Sequence, residues 1–219
     1  MLNLDFTVIG TYIDVLAWGA LWTGILCVAS IVLSIFGGIP LAMAVLSRYS
    51  PINKPVGFLI WLLRGTPLLL QLYMIYFGLP KIGIYLSPIT SGILGLSLHY
   101  SVYNADVIRA GIVAVDSGQH AAARSLGLSK LQTMRKVVLP QALRNVTPAL
   151  GNNFIALLKE SALVSIITVP ELTLSAQLGI SETFRPFEFY FAAGAIYYII
   201  NFVLESALKR VEMRTALAR

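Results

Sequence analysis

The chain has 219 residues, 57% of them hydrophobic and only 12% charged, with a mean hydropathy of +0.79 and a formal net charge of +6. A soluble domain carries about 25% charged residues, so composition excludes a soluble globule and indicates a bilayer protein; a modest charge excess on so apolar a chain does not describe a nucleic-acid binder. The lone cysteine, Cys27, lies in an apolar run, which excludes a disulfide framework within the chain.

Residues 1–16 hold Asp5 and Asp14 but no Lys or Arg, so no cleavable signal is expected, and the segment reads as an extracytoplasmic N-terminus. Residues 17–46 are nearly uncharged and longer than the roughly 20 needed to span a bilayer. Gly37, Gly38 and Pro40 interrupt them, which predicts a kinked or closely packed helix. After a short polar turn at 48–54, a second span is expected over 56–79, with Arg64 inside it. A Pro/Gly loop (79–88) leads to a third, more polar span over 89–110 that carries His99, Asn104 and Asp106. A charged segment, 113–146, separates it from a fourth span, 147–169, in which Lys159 and Glu160 are embedded. A polar stretch, 170–188, reads equally as a connector or as a re-entrant or surface helix; a fifth span follows at 189–208, and 211–219 is a basic tail.

Five crossings put the termini on opposite sides, and Lys/Arg placement sets the orientation. Arg48, Lys54, Arg109, Arg124, Lys130, Arg135, Lys136, Arg144, Lys209, Arg210, Arg214 and Arg219 fall on one face, against only Lys81 and Arg185 on the other. The expected arrangement is N-terminus outside and C-terminus cytoplasmic. No G-x-x-x-x-G-K-[ST] motif occurs, so no phosphate-cradling loop is expected in this chain. No His/Cys cluster has metal-ligand spacing, since His99 and His120 are isolated, and no nucleophile–base pattern suggests an enzyme.

The charged segment is the most ordered polar feature. Asp116 is a good N-cap with Gln119 three residues on, near capping-box spacing, and residues 117–126 read as a short helix stopped by Gly127. Ser129 and Gln132 form a second capping box. Leu128, Leu131, Met134 and Val138 give the second helix an apolar stripe, and Pro140 is expected to break it. Two short helices hinged at a glycine make a protruding knuckle.

In GQHAAARSLGLSKLQTMRKVVLPQALRN (118–145), the order Gly-Gln-x-x-Ala-Ala, Leu-Gly-Leu-Ser, Leu-Pro-Gln-Ala-Leu-Arg resembles the cytoplasmic "EAA" loop of ATP-binding-cassette importer permeases. RGTPLLLQLYMIYFGLP (64–80), YNADVIRAGI (103–112) and NNFIALLKESALVSIITVPEL (152–172) are similar to the polar amino-acid branch of that family, and the resemblance covers roughly 17–210. It implies an all-α, five-helix membrane protein of the type I (MetI-like) permease fold, multi-pass in a bacterial inner membrane. The implied partners are a second permease chain, identical or paralogous, a pair of ATPase subunits that bind ATP and Mg, and an extracytoplasmic substrate-binding protein. The chain itself would hold no cofactor. In the family the knuckle inserts into a cleft on the ATPase, which nominates Gly118, Gln119, His120, Ala121, Ala122, Arg124, Leu126 and Gly127 as coupling residues. The family's acidic residue falls at Ala121, so any charge pairing that it makes is lost, and His120, Arg124 or Lys130 are left to supply polar contacts.

Lys159-Glu160-Ser161 is the sharpest signal for cargo. Lys159 lies about 18 Å into the fourth span, near the midplane of a ~30 Å core, where ionisable groups face a cavity or each other. An amino-acid zwitterion needs an acceptor for its amine and a donor for its carboxylate, and this run offers both; the family's substrate site in this helix adds to that reading. The competing reading is an ion pair that fixes packing, such as Lys159 with Asp106 or Glu160 with Arg64. Asn153, with Asn152, would line the same path or glue helices together. Arg64, Gly65 and Pro67 suggest a structural or gating hinge in the second span. The rival functions are an ion-coupled secondary transporter, with Lys159 and Glu160 as a relay, and a membrane scaffold whose knuckle recruits a soluble protein.

Overall fold

In a computed structural model that describes residues 4–216, every regular element is helical. Helix α1 (Thr7–Thr11) precedes the long α2 (Ile13–Val45), then come α3 (Ser50–Arg64) and α4 (Leu68–Tyr73), the latter continued by a π turn (Met74–Gly78) and a 3-10 turn (Leu79–Ile82). Helix α5 is Pro88–Val113, and α6 (Ser117–Ser125) and α7 (Lys130–Thr133) form the knuckle. A π turn (Met134–Val138) leads into α8 (Leu139–Glu160), a 3-10 turn (Ser161–Ile167) ends it, and α9 (Leu172–Thr183) and α10 (Pro186–Ala216) complete the chain.

Helix α5 lies along α2, with α3, α4 and α8 packed against it, while α9 and α10 pack on α2. The Ser87 hydroxyl accepts from the Thr90 N–H at 3.1 Å, and Pro88 occupies the first turn, where no backbone donor is needed. Along α5, Leu96, Val102, Asn104, Ala105 and Ile108 are inaccessible or nearly so. Small residues permit this close approach. A Cβ added at Gly38 of α2 would sit 3.0 Å from Asn104 Cβ and 3.2 Å from the Ser101 carbonyl oxygen, so α2 and α5 touch backbone to backbone there. Gly111 plays the same part against Ala142 of α8. The core forms three clusters strung along α2: Leu16 with Leu172, Ala176 and Phe189; Leu26, Cys27 and Ile31 with Leu72, Leu96 and Leu157; Ala42 with Val102, Ile108 and Val138.

Among the described residues, 3 helical stretches are long and apolar enough to cross a membrane: Ile13–Val45, Lys130–Ile167 and Pro186–Met213. The bent pair Ser50–Arg64 and Leu68–Ile82 makes a fourth if counted as one span. The third expected span corresponds to Pro88–Val113, which is long enough but too polar to pass on composition; Ser91, Ser97, His99, Ser101 and Asn104 are buried within the bundle.

Several expectations are corrected. The segment 56–79 is not one continuous helix: the chain turns by 106° between α3 and the helix that begins at Leu68. Pro67 is extended, with φ −60° and ψ 139°, and cannot continue α3. Pro140 does not break its helix; it sits in the first turn of α8, and the preceding π turn accommodates its ring. Pro40 lies inside an unbroken α2, and of the two readings of that stretch the closely packed helix holds, with Gly37 and Gly38 against α5. The first capping box does not close, because Asp116 Oδ1 accepts from Gly118 N at 2.7 Å and Gln119 turns away to accept from Gln141 Nε2 at 3.3 Å. The second box, Ser129 with Gln132, is complete. Of the two readings of 170–188 the helical one holds in part: Leu172–Thr183 is helix α9, packed between α2 and α10, and not a mere connector. Of the expected basic tail 211–219, residues 211–216 continue α10, while 217–219, like residues 1–3, lie outside the described residues.

The start of α10 is clasped to the N-terminal segment. Asp5 N donates to Glu188 Oε1 at 3.1 Å, Arg185 pairs with Glu188 at 3.1 Å and Asp5 at 4.0 Å, and Tyr12 OH donates to Glu182 at 2.6 Å. Hydrogen bonds from Thr7 hold the Asp5 carboxyl below its ordinary range.

Candidate functional site

Glu160 is the last residue of α8, where the α-helix tightens into a 3-10 turn. Its carboxylate Oε2 accepts from Tyr100 OH at 2.9 Å and lies 3.9 Å from His99 Nε2. Both partners belong to α5. Tyr103, one turn further along, closes a ring cluster with centroids 5.0 Å from His99 and 6.0 Å from Tyr100. The Arg64 guanidinium stands over the Tyr103 ring at 5.8 Å. Arg64 pairs with Asp106, and Arg109 Nε reaches Asp106 Oδ1 at 3.8 Å. Positions 99, 103 and 106 share one helical face, so a polar and aromatic strip runs about 10 Å along α5 from Glu160 to the end of α3.

Neither cross-pair expected from sequence forms. Arg64 takes Asp106, leaving Glu160 to the α5 aromatics and Lys159 elsewhere. Consecutive helical residues point about 100° apart; accordingly Lys159 is exposed in a groove between α8 and α10 lined by Ala162, Gly194, Tyr197, Tyr198 and Asn201. Ser161 is fully buried, and its hydroxyl donates to the Leu158 carbonyl at 2.7 Å. Asn153 Nδ2 donates to Asn104 Oδ1 at 2.8 Å, and Asn104 Nδ2 donates to Ser34 Oγ at 2.9 Å, a polar bridge across α8, α5 and α2. So Glu160 is the one residue of the expected substrate set that meets the aromatic strip; Lys159, Ser161 and Asn153 each face a different environment.

The sequence reading missed Tyr100, Tyr103 and Gln71, and used His99 only as a mark of polarity. The available signal was an aromatic/His trio at helical spacing in a polar span. Gln71 had no local signal at all: it is buried in α4, and its amide bridges the helix break to His99, with Oε1 3.2 Å from His99 Nδ1 and Nε2 2.7 Å from the Leu63 carbonyl. At the break, Gly65 and Pro67 carry the turn, and the Thr66 hydroxyl donates to the Leu62 and Leu63 carbonyls at 3.2 Å.

The knuckle presents a different surface. Gly118, Gln119, Ala121, Ala122, Arg124, Leu126 and Gly127 are exposed, His120 is half-buried, and Ala123 alone of α6 packs inward. Leu126 is 82% exposed and Leu131 62%, an apolar pair with nothing over it. Gly127 has φ +80°, and Arg124 Nη1 donates to the Leu128 carbonyl at 2.8 Å, so the turn is held on both sides.

Comparison with known proteins covers nearly the whole chain. The pattern of the family described as "Binding-protein-dependent transport system inner membrane component" matches residues 34–217. The arginine transport system permease protein ArtQ of Bacillus subtilis is 35% identical over 214 residues, 97% of this chain and 98% of that protein. A crystal structure of an amino acid ABC transporter with histidines has a chain 39% identical, with a TM-score of 0.88, covering 97% of this chain and 100% of the other. An inward-facing structure of the MetNI methionine ABC transporter shares the fold, with a TM-score of 0.78 at 19% identity over 92% of this chain and 96% of the other.

Proposed function

The chain belongs to the family of binding-protein-dependent transport system inner membrane components, and from that premise we propose that it is the translocating subunit of a bacterial amino-acid importer. It crosses the inner membrane five times, with the bent α3–α4 pair as one crossing and α5 as another, N-terminus outside and C-terminus in the cytoplasm. A second permease chain completes the pathway. Two ATPase subunits, which carry the ATP and Mg, grip the knuckle, and a binding protein delivers cargo from outside. Cargo shifts the bundle between states only if it and the ATPase contact those states differently.

The observation that carries the reading is the carboxylate of Glu160 held by Tyr100 beside His99, facing an aromatic strip at the end of a buried helix. A carboxylate among aromatic faces suits an ammonium or guanidinium. Lys159, on the adjacent face, offers a cation to the α8–α10 groove, whereas Ser161 and Asn153 serve packing. Arg64, Gly65 and Pro67 form the bend whose flexing would gate the strip. The apolar tip at Leu126 and Leu131, flanked by His120, Arg124 and Lys130, is the docking surface for the ATPase, without the acid absent at Ala121.

The test is substrate-stimulated ATP hydrolysis by the complex reconstituted in liposomes. Glu160→Gln is expected to assemble normally while losing about 10- to 100-fold in uptake, the loss of a hydrogen bond to a charged group. Wild-type uptake kinetics in that variant would remove Glu160 from the site. Uptake driven by a proton gradient without ATP would instead establish an ion-coupled carrier.

A further inference from the structure

A carboxyl group that solvent does not reach ties the start of α9 to a second helix. Glu171 is 0% exposed. Backbone N–H groups face both of its oxygens: Leu174 N donates to Oε1 at 2.8 Å and Thr173 N to Oε2 at 2.9 Å. Tyr197 OH, from α10, also donates to Oε2, at 2.6 Å. That commits the one phenolic proton, so Thr173 Oγ1, 3.3 Å from the same hydroxyl, donates to it. Leu172 N donates to Thr23 Oγ1 of α2 at 3.1 Å, and Glu171 N to the Val169 carbonyl at 2.8 Å. The N–H groups that a helix start leaves open are thus all satisfied. Among the described residues no Lys or Arg pairs with Glu171. An ionisable group so placed within a membrane protein is costly, and capping alone does not require one.

Glu171 also ends the connector that starts at Glu160. Ser161–Ile167 is a 3-10 run of 7 residues, where runs beyond about 4 are uncommon. It closes on Thr168 at φ +62°. A β-branched residue in the left-handed region persists only where its surroundings over-determine it. Both ends of this connector are held: Tyr100 of α5 holds Glu160, and Tyr197 of α10 holds Glu171. Further along α9, the Phe189 ring of α10 fills the space that a side chain at Gly179 would need. Helix α10 therefore grips α9 at its start and again near its end.

We propose that Glu171 is a positioning residue for transport: through Tyr197 it makes α9 and α10 one rigid body, and the taut connector passes the movement of that body to Glu160. The link to cargo rests on reading the Glu160 face as the cargo site; the rigid body does not.

Two substitutions separate the tie from the cap. Tyr197→Phe removes the tie and leaves both cap bonds. Glu171→Gln keeps one oxygen for the Oε2 side, where two donors meet, and sets its NH₂ against the Leu174 N–H. Spin labels at Gln177→Cys on the exposed face of α9 and at Phe202→Cys on α10, in a Cys27→Ser background with one labelled chain per transporter, read the rigid body. One distance, the same with and without ATP, is expected with Tyr197 in place and in Glu171→Gln; a second, nucleotide-dependent distance is expected in Tyr197→Phe. A distance that changes with ATP while Tyr197 is present, or a single fixed distance in Tyr197→Phe, would overturn the proposal whatever Glu160 binds. In proteoliposomes, Tyr197→Phe is expected to raise the ATP hydrolysed per cargo molecule about 10-fold at unchanged thermal stability, the weight of one hydrogen bond to a charged group. Glu171→Gln is expected to lower the unfolding midpoint and keep that ratio. An unchanged ratio in Tyr197→Phe, or uptake and hydrolysis falling together, would leave the tie structural only and refute the positioning role. Normal uptake in Glu160→Gln would instead remove the cargo reading and leave the rigid body standing.

Discussion

At the residue scale, the chemistry is set by which polar groups find one another across the bundle. Glu160, Lys159 and Ser161 are consecutive, yet the carboxylate meets Tyr100, the ammonium enters the α8–α10 groove, and the hydroxyl bonds back to Leu158. Helical geometry predicts that divergence; the partners awaiting each side chain could not be predicted. Arg64 and Asp106 are far apart in sequence, and their pairing displaced both ion pairs that spacing alone suggested. The clasp at Asp5 gives a pH prediction. The Asp5 carboxyl is held below the ordinary range, so its contribution is complete above about pH 4 and is lost as pH falls through the lowered value. Protection of residues 5–12 against hydrogen exchange in nanodiscs, taken relative to the intrinsic rate at each pH, is therefore expected to fall between about pH 4 and pH 2, and Arg185→Gln should shift the onset to higher pH. Protection that is flat over that interval would show that the clasp does not hold α1.

At the element scale, the knuckle was largely legible because its signals are local: a cap, a left-handed glycine and a capping box act within a few residues. Gly127, at φ +80°, supplies the hinge. Gly127→Val places a β-branched residue in the left-handed region at a cost of about 1–2 kcal/mol, and is expected to release the ATPase on detergent extraction. A stable stoichiometric complex would show that the turn tolerates distortion. The broken α3–α4 pair was half legible: Gly65 and Pro67 announced a bend, but its size of 106° depends on α5, where Gly95 lies against Leu72 and lets α4 in. Pro140 was misread because a proline breaks a helix only where it must follow regular hydrogen bonding; a π turn ahead of it removes that conflict.

At the scale of the whole molecule, α10 is the least covered long helix, with 6% of its most apolar window buried against 39% for α2. Its bare face agrees with a chain that works beside lipid and a second subunit. The proposed orientation has a direct check. In a Cys27→Ser background, Arg124→Cys is expected to react with an impermeant maleimide only after cells are opened, and Arg185→Cys from outside intact cells. The reverse pattern would invert the topology and leave the knuckle unable to reach an ATPase.

The sequence by itself determined the approximate extents of the long helices, which of them are apolar and that an orderly polar knuckle divides the chain. These follow from hydropathy, capping and charge, which act along the chain or between a residue and its solvent. Only the tertiary structure decided that α5, too polar to pass as a span on composition, is buried along α2, that α3 and α4 turn sharply against it, and that Gln71 and His99 stand behind Glu160. The physical reason is one of range: a buried amide, imidazole or carboxylate takes its partner from whichever helix lies opposite, and helix–helix placement is fixed by the fit of small residues such as Gly38 and Gly111 against distant backbones.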